Sequence, residues 1–405
     1  MARNIVVIGG GPAAVFAAVE AKKKDAAASV TLVTEEACEP YEKPPLSKAV
    51  LLGKARPEDA PIAGPGGLAR HGVELKLNAC CTAIDRAGHQ VITSAGSLPY
   101  DALVIATGSQ MRELPLLPIG MPRVHYLRTE AHARAIKAAL GSCQHLAVIG
   151  AGLIGLEAAA SAAELGLEVT VIEYAPRIMA RACDEETGTL IFDEHQHHGV
   201  EFELSRQVTQ VTSQLDGSVA LETDDGQLHV ADLVVVGTGV KPNDALAVAA
   251  GLAVQDGIVV DERCRTSDPD IFAAGDVTRF ATPQGAVRLE NWRHAQDHGA
   301  IAGRNAAGGS DSYNVVPSFW TEQYDLYIQG IGWPDASARK VRRPLPDKSA
   351  LLMETKDGVV TYALGINVQR DLAAIRRLIE RRIPVDTEAL ADPAQPFNAM
   401  LKAKA

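Results

Sequence analysis

The chain opens on a short apolar run, residues 4–8, that breaks on three glycines and a proline. An alanine-rich stretch follows, with its lysines gathered near Lys24. A β-branched run, a glycine break and a longer small-residue run predict a strand, a tight turn and a helix. A second strand is expected at 29–33, with Glu35 just beyond it. The pattern then returns. Residues 146–149 run into GAGLIG at 150–155, a helix is expected over 157–166, a strand over 168–172, and Glu173 follows. Farther on, 101–108 and 232–239 match in length, hydrophobicity and a closing Thr-Gly. A unit written twice predicts two similar nucleotide-binding modules.

The remaining segments attach to that frame. Residues 53–67, rich in Gly, Pro and Ala, read as an irregular loop, and the prolines around Leu114 mark the end of the first module. Residues 240–317, with a helical stretch at 291–306, are too short to stand alone and are expected to rejoin it. From Ser318 an aromatic cluster leads into strand-like runs at 351–355 and 358–368 and a helix at 371–382, a separate α+β domain. The expected division is 1–113 with 240–317, then 114–239, then 318–405, in the α/β class.

Composition narrows the function. At 405 residues, 47% hydrophobic and 22% charged, the chain is globular and neither a disordered nor a fibrous sequence. A net charge of −11 argues against a broad nucleic-acid or anionic-membrane surface. The apolar runs at the start and at 146–163 are broken by glycines and, in the second, by Glu157, so no targeting or spanning segment is read. Six cysteines (Cys38, Cys80, Cys81, Cys143, Cys183, Cys264) lack metal-ligand or dithiol spacing. Free thiols in a cytoplasmic protein without a metal site are expected, with Cys80 and Cys81 as buried small residues in a strand.

The chemistry sits in the glycine turns. In Gly9-x-Gly11-x-x-Ala14 the absence of side chains lets the backbone approach a pyrophosphate held at a helix N-terminus, and Glu35 is placed for a ribose. Gly150-x-Gly152-x-x-Gly155 has the same surroundings, with Glu173 placed to accept from an adenosine ribose and repel a 2′-phosphate. That favours NADH over NADPH, although Arg177 and Arg181 lie near. The NAD set is Gly150, Gly152, Ile154, Gly155, Glu157, Glu173, Arg181 and Gly239. A second dinucleotide site beside a nicotinamide site points to a flavin, which accepts an electron pair and releases it singly.

Residues 41–48 (YEKPPLSK), 126–129 (YLRT), 150–157 (GAGLIGLE), 273–277 (AAGDV) and 319–325 (FWTEQYD) resemble the oxygenase-coupled, FAD-dependent ferredoxin reductases of the glutathione-reductase fold, over nearly the whole chain. The resemblance implies FAD contacts from Gly9, Gly11, Ala13, Ala14, Glu35, Lys48, the backbone at Cys81, Thr107, Arg128, Asp276 and Trp292. Asp276 is expected at a loop-to-helix junction, accepting from the ribityl hydroxyls. It implies Lys48 and Glu157 as the catalytic pair beside the flavin. Disulfide reductases and peroxidases of this fold carry a cysteine where this chain has Pro44-Pro45-Leu46, so electrons are expected to leave the flavin directly.

The implied acceptor is a [2Fe-2S] ferredoxin serving a Rieske dioxygenase or a cytochrome P450. Residues 318–405 carry a net +2 against −13 for 1–317. The clusters Arg339-Lys340-x-Arg342-Arg343, Arg376-Arg377 and Arg381-Arg382 could receive an acidic ferredoxin, with Trp320 and Trp292 candidates for the flavin edge. A rubredoxin reductase, an NADH oxidase and an NADH-sensing protein resembling apoptosis-inducing factor are the competing readings. A monomer and a homodimer fit equally.

Overall fold

The computed structural model describes residues 2–282, 285–346 and 348–401, so the last four residues of the 318–405 segment lie outside it. The chain forms two compact units. One holds Met1–Lys43, Arg56–Gln110 and Val240–Val315, the other Pro44–Ala55, Met111–Gly239 and Val316–Ala405.

The first unit is built on a five-stranded parallel sheet in the order Ile271–Ala273, Ala102–Ile105, Asn4–Ile8, Ser29–Val33, Glu74–Lys76. Apart from the edge strand Glu74–Lys76, its strands are mostly buried on both faces, as near-continuous apolar runs require of a parallel sheet. The helix Pro12–Lys24 follows the first strand, with proline in its first turn where no amide partner is needed. It packs on the helix Trp292–Ala306, and glycine allows the approach: a Cβ on Gly299 would lie 2.2 Å from the Ala13 carbonyl oxygen, and one on Gly303 2.0 Å from that of Ala17. Two small sheets join the parallel sheet in this unit, an antiparallel one of Cys81–Asp85, Gln90–Thr93 and Gly96–Pro99 and a mixed one of Ile258–Val260, Thr278–Thr282 and Gly285–Val287.

The second unit repeats the parallel sheet, in the order Val200–Leu204, Glu168–Glu173, His145–Ile149, Leu233–Val236, Val124–Tyr126. The repeat extends to single hydrogen bonds. The Gly9 amide donates to the Val33 carbonyl and the Gly150 amide to that of Ile172; Asp101 caps the amide of Asn4, and Asp232 those of Gln144 and His145. The fifth strand differs in origin: Ile271–Ala273 comes from far downstream, Val124–Tyr126 from upstream. The helix after the second glycine turn is Leu153–Glu164, four residues earlier at its start than expected, because Gly152 caps it.

The same unit carries the C-terminal antiparallel sheet, in the order Ser318–Gln323, Leu326–Gly332, Val359–Ile366, Ala350–Lys356, Arg339–Arg343, with the helix Gln369–Glu380 packed on it. No helix among the described residues is long and apolar enough to cross a membrane.

Candidate functional site

In the first unit the glycine turn has a division of labour. Gly9 adopts φ +136°, and a Cβ there would lie 2.1 Å from the Ala106 carbonyl oxygen, so the turn itself requires glycine. Gly11 caps the helix, and a Cβ on it would meet nothing within 4 Å. Its bareness leaves open space at a helix N-terminus, the cradle that a pyrophosphate fits. Ala13 and Ala14 are buried beneath it in the first turn of the helix.

Around that turn, Thr107 donates its hydroxyl to the Asn243 carbonyl (2.7 Å), and Asp276 accepts from Ser109 Oγ (2.9 Å). Asp276 lies in a single 3₁₀ turn, Gly275–Val277, that runs into the strand Thr278–Thr282, so the expected loop-to-helix junction is not what forms. Trp292 opens its helix and donates Nε1–H to Glu42 Oε2 (2.6 Å), while burial pushes the Glu42 carboxyl up despite that bond.

Glu35 is exposed, two residues past the strand end, with Cys80 Sγ 4.0 Å away. Strand register pairs Val33 with Ile8 and Ile172 with Ile149, so Thr34, not Glu35, is the counterpart of Glu173. Thr34 Oγ1 accepts from the Glu36 amide as Glu173 accepts from that of Ala175. The expectation for the two cysteines is corrected. Cys80 is exposed and Cys81 half-buried, because Cys80 precedes the strand and Cys81 opens it at a register irregularity. Burial still pushes the Cys81 thiol up to about 11. Glu36 was not singled out from the sequence, yet it binds the Tyr41 hydroxyl (2.6 Å) and Lys43 (3.2 Å).

The second unit holds a cavity of about 1060 Å³ lined by both sides of its glycine turn. Gly150 takes φ +101°, where a Cβ would lie 2.9 Å from the Gly237 carbonyl oxygen. A Cβ on Gly155 would lie 2.0 Å from that of Gly150, and one on Gly152 would meet nothing within 4 Å. Glu173 ends its strand and lines the cavity, accepting from the amides of Ala151 (2.6 Å) and Ala175 (2.7 Å). The carboxylate is thereby fixed in place with lone pairs remaining for a ligand.

Arg177 donates to the carbonyls of Cys183 and Ala180 (2.9 Å each), which ties its guanidinium to the loop. Arg181 is exposed, with Nη2 3.5 Å from where a Cβ of Gly239 would stand. Ile154 is half-exposed on the first helical turn. Tyr174 also lines the cavity and is 76% exposed. The sequence signal for it was an aromatic directly after the ribose acid, which periodicity alone does not distinguish from a core residue.

Lys48 and Arg128 both belong to this second unit. Arg128 lies half-buried just before Thr129, the cap of the helix Glu130–Leu140. Lys48 follows the 3₁₀ turn Pro44–Ser47, and its Nζ is 3.0 Å from Glu157 Oε1, the two side chains being 18% and 4% exposed. Glu157 is a buried side-chain acceptor on the second helical turn and not a solvated acid near the helix start. Thr321 Oγ1 donates to Oε1 (2.6 Å), and Ser47 Oγ donates to Oε2. A buried carboxylate with an ammonium and two hydroxyl donors is a compensated charge of fixed orientation.

Three of the eight basic residues in the clusters expected to meet a partner are engaged within the fold. Arg342 pairs with Asp184 and with Glu186 (2.7 Å). Arg343 is buried, donates to the Leu390 carbonyl (2.8 Å) and lies over the Phe397 ring. Arg376 donates to the Val316 carbonyl and to Ser318 Oγ. Arg339, Lys340, Arg377, Arg381 and Arg382 are exposed. Strand alternation placed Arg342 and Arg343 on opposite faces, and both faces found partners.

Residues 3–299 match the family described as pyridine nucleotide-disulphide oxidoreductase, and residues 318–401 match the reductase C-terminal family. The chain is 39% identical over 402 residues to the ferredoxin–NAD(+) reductase component of the anthranilate 1,2-dioxygenase system of Burkholderia cepacia, covering 98% of each. It is 37% identical to rhodocoxin reductase of Rhodococcus erythropolis, over 96% of this chain and 92% of that one. Among solved structures, putidaredoxin reductase in its covalent complex with putidaredoxin aligns with a TM-score of 0.93 at 32% identity, over 99% of both chains. With two glycine-turn modules in register and a C-terminal sheet of the matching kind, the chain belongs to the pyridine nucleotide-disulphide oxidoreductase family and carries the family's reductase C-terminal domain.

Proposed function

We propose that the chain is an FAD-dependent NADH:ferredoxin reductase, feeding electrons from NADH one at a time to a [2Fe-2S] ferredoxin of an oxygenase system. The observation that carries this reading is the buried Lys48–Glu157 pair, held by Ser47 and Thr321, on the helix that follows the second glycine turn. When bound, FAD supplies acceptance of a hydride and release of its two electrons in single steps.

The protein's own groups do the rest. Gly150, Gly152 and Gly155 leave room for the NADH pyrophosphate, and Ile154 and Gly239 flank its path. Glu173 accepts from the ribose hydroxyls, and Arg181 is the exposed cation beside them. Lys48 would offer the flavin a positive charge, and Glu157 orients that ammonium. Gly9, Gly11, Ala13 and Ala14 form the FAD phosphate cradle, with Glu35 at the ribose and the backbone at Cys81, Thr107, Asp276 and Trp292 lining the remainder. The functional division is that of the three expected segments, 1–113 with 240–317, 114–239 and 318–405. The acceptor docks through exposed cations such as Arg377 and Arg381. Six cysteines without metal-ligand or dithiol spacing fit a cytoplasmic location.

The testing experiment is an anaerobic titration of the purified protein with NADH, followed by addition of a [2Fe-2S] ferredoxin and then a rubredoxin. Stoichiometric flavin bleaching with rapid reoxidation by the ferredoxin is expected. Reoxidation by rubredoxin alone, or by oxygen alone, would replace the reading with a rubredoxin reductase or an oxidase.

A further inference from the structure

Behind Glu157, a line of side chains continues from Thr321 to residues that the proposed mechanism leaves unused. Thr321 and Gln323 point to the same side of the strand Ser318–Gln323, and His195 comes from the helix Glu185–His197; all three are essentially inaccessible to solvent. Gln323 Nε2 donates to Thr321 Oγ1 (3.2 Å), and Gln323 Oε1 lies 2.8 Å from His195 Nε2. His195 Nδ1 in turn lies 3.2 Å from the half-buried Tyr324 hydroxyl.

Donor inventory fixes every proton in this line. An amide oxygen only accepts, so His195 Nε2 carries its proton, and the neutral ring must accept at Nδ1 from Tyr324 O–H. Burial holds the His195 imidazole down at about 4 and pushes the Tyr324 phenol up, which keeps both in those forms. The ring is faced by Glu194 and His198 on its own helix and by Tyr324 from the strand end. Glu194 is also bound by Lys348, which pairs with Asp325 as well. All four hydrogen bonds therefore point one way, from Tyr324 through His195, Gln323 and Thr321 into Glu157 Oε1. Aligned donors polarise one another toward the terminal acceptor. Phe16 holds the corresponding place in the first module, seven residues after Gly9 as Glu157 is seven after Gly150, and it has an aromatic neighbour, Trp292, in place of such a line.

We propose that His195 is a positioning residue for Glu157, acting through Gln323 and Thr321 to fix the carboxylate that holds Lys48. The inference rests on the reading of Lys48 and Glu157 as the pair beside the flavin. It makes no demand on proton transfer, since an amide interrupts any wire.

The test measures, on the FAD-loaded protein, the midpoint potential of the flavin by dye equilibration, the NAD+ dissociation constant and the stopped-flow rate of bleaching by NADH. The variants are Glu157→Gln, Thr321→Val, Gln323→Met, His195→Phe, His195→Gln and Tyr324→Phe. Thr321→Val is expected to slow bleaching about tenfold with less than a twofold change in NAD+ affinity, and to shift the potential in the direction that Glu157→Gln does. Gln323→Met, His195→Phe and Tyr324→Phe should follow with successively smaller effects. His195→Gln, whose amide can donate to Gln323 and accept from Tyr324, should restore the parental potential.

Potentials that shift in Glu157→Gln but stay fixed in Thr321→Val and Gln323→Met would overturn this inference and leave the reductase reading standing. A Glu157→Gln potential and rate equal to the parent would remove Glu157 from the site and the inference with it. Effects that follow each variant's loss of melting temperature, and not its distance along the line, would also overturn it. Thr321→Val, nearly isosteric, decides the matter where His195→Phe does not fold.

Discussion

The two parallel-sheet modules share strand order, register and the hydrogen bonds of their glycine turns, yet the helix after each turn is used differently. In the first, Ala13 and Ala17 lie against Gly299 and Gly303, and the helix serves close packing. In the second, Glu157 turns the corresponding helix into a platform for charge, with Ser47, Lys48 and Thr321 gathered on it. Duplication of a scaffold preserves the backbone pattern that binds a pyrophosphate and leaves the side chains free to separate holding a cofactor from acting on a substrate.

The comparison breaks most severely at Glu157. Glu157→Phe, importing the residue of the first module, strands the Lys48 ammonium and two hydroxyls without an acceptor. A loss of about 3–5 kcal/mol is expected in urea unfolding, the range for an orphaned buried charge. Gln at the same position, which keeps an acceptor for the hydroxyls, should lose clearly less.

One buried histidine in each module tests the interior by pH. Burial holds His294 in the first unit and His195 in the second down at about 4. Unfolded histidine takes up its proton near pH 6.5, so between about 6.5 and 4 the unfolded state binds more protons and stability falls as pH falls. Each ring should contribute on the order of 1 kcal/mol per pH unit in that window. Unfolding of His294→Phe and His195→Phe as a function of pH should each show a flatter slope than the parent.

Packing sharpens the contrast next. Gly303→Ala, whose Cβ would press on the Ala17 carbonyl, should cost about 1–3 kcal/mol by overpacking in thermal unfolding. Gly152→Ala, with open space around its Cβ, should leave stability within about 0.5 kcal/mol and raise the KM for NADH.

Smaller effects separate recognition from scaffold. Glu173→Ala should lower the NADH to NADPH ratio of kcat/KM by about tenfold, the value of a charged hydrogen bond. Charge reversal at exposed Arg377 should raise the ferredoxin KM less than tenfold, the more so at low salt. Reversal at Arg342, already paired with Asp184 and Glu186, should act on the melting temperature instead.

Much of this was legible along the chain. Hydrophobic period and glycine spacing predicted both modules, the turn at each helix start and the alanine-rich helix ending at Lys24, because those features depend on neighbours in sequence. The register of Thr34 against Glu173 was not, since it requires knowing which residues pair across strands. Neither was the exposure of Cys80, which follows from a strand that starts one residue later.

Sequence by itself determined where a dinucleotide phosphate can be approached, for a glycine turn between strand and helix is a local matter of φ and missing side chains. Tertiary structure alone decided which charges are compensated. Glu157 finds Ser47 and Thr321 more than a hundred residues away in either direction, and Arg342 finds Asp184. Pairing of buried polar groups is a property of folded space, and no linear pattern of residue types encodes the distance that makes an ion pair.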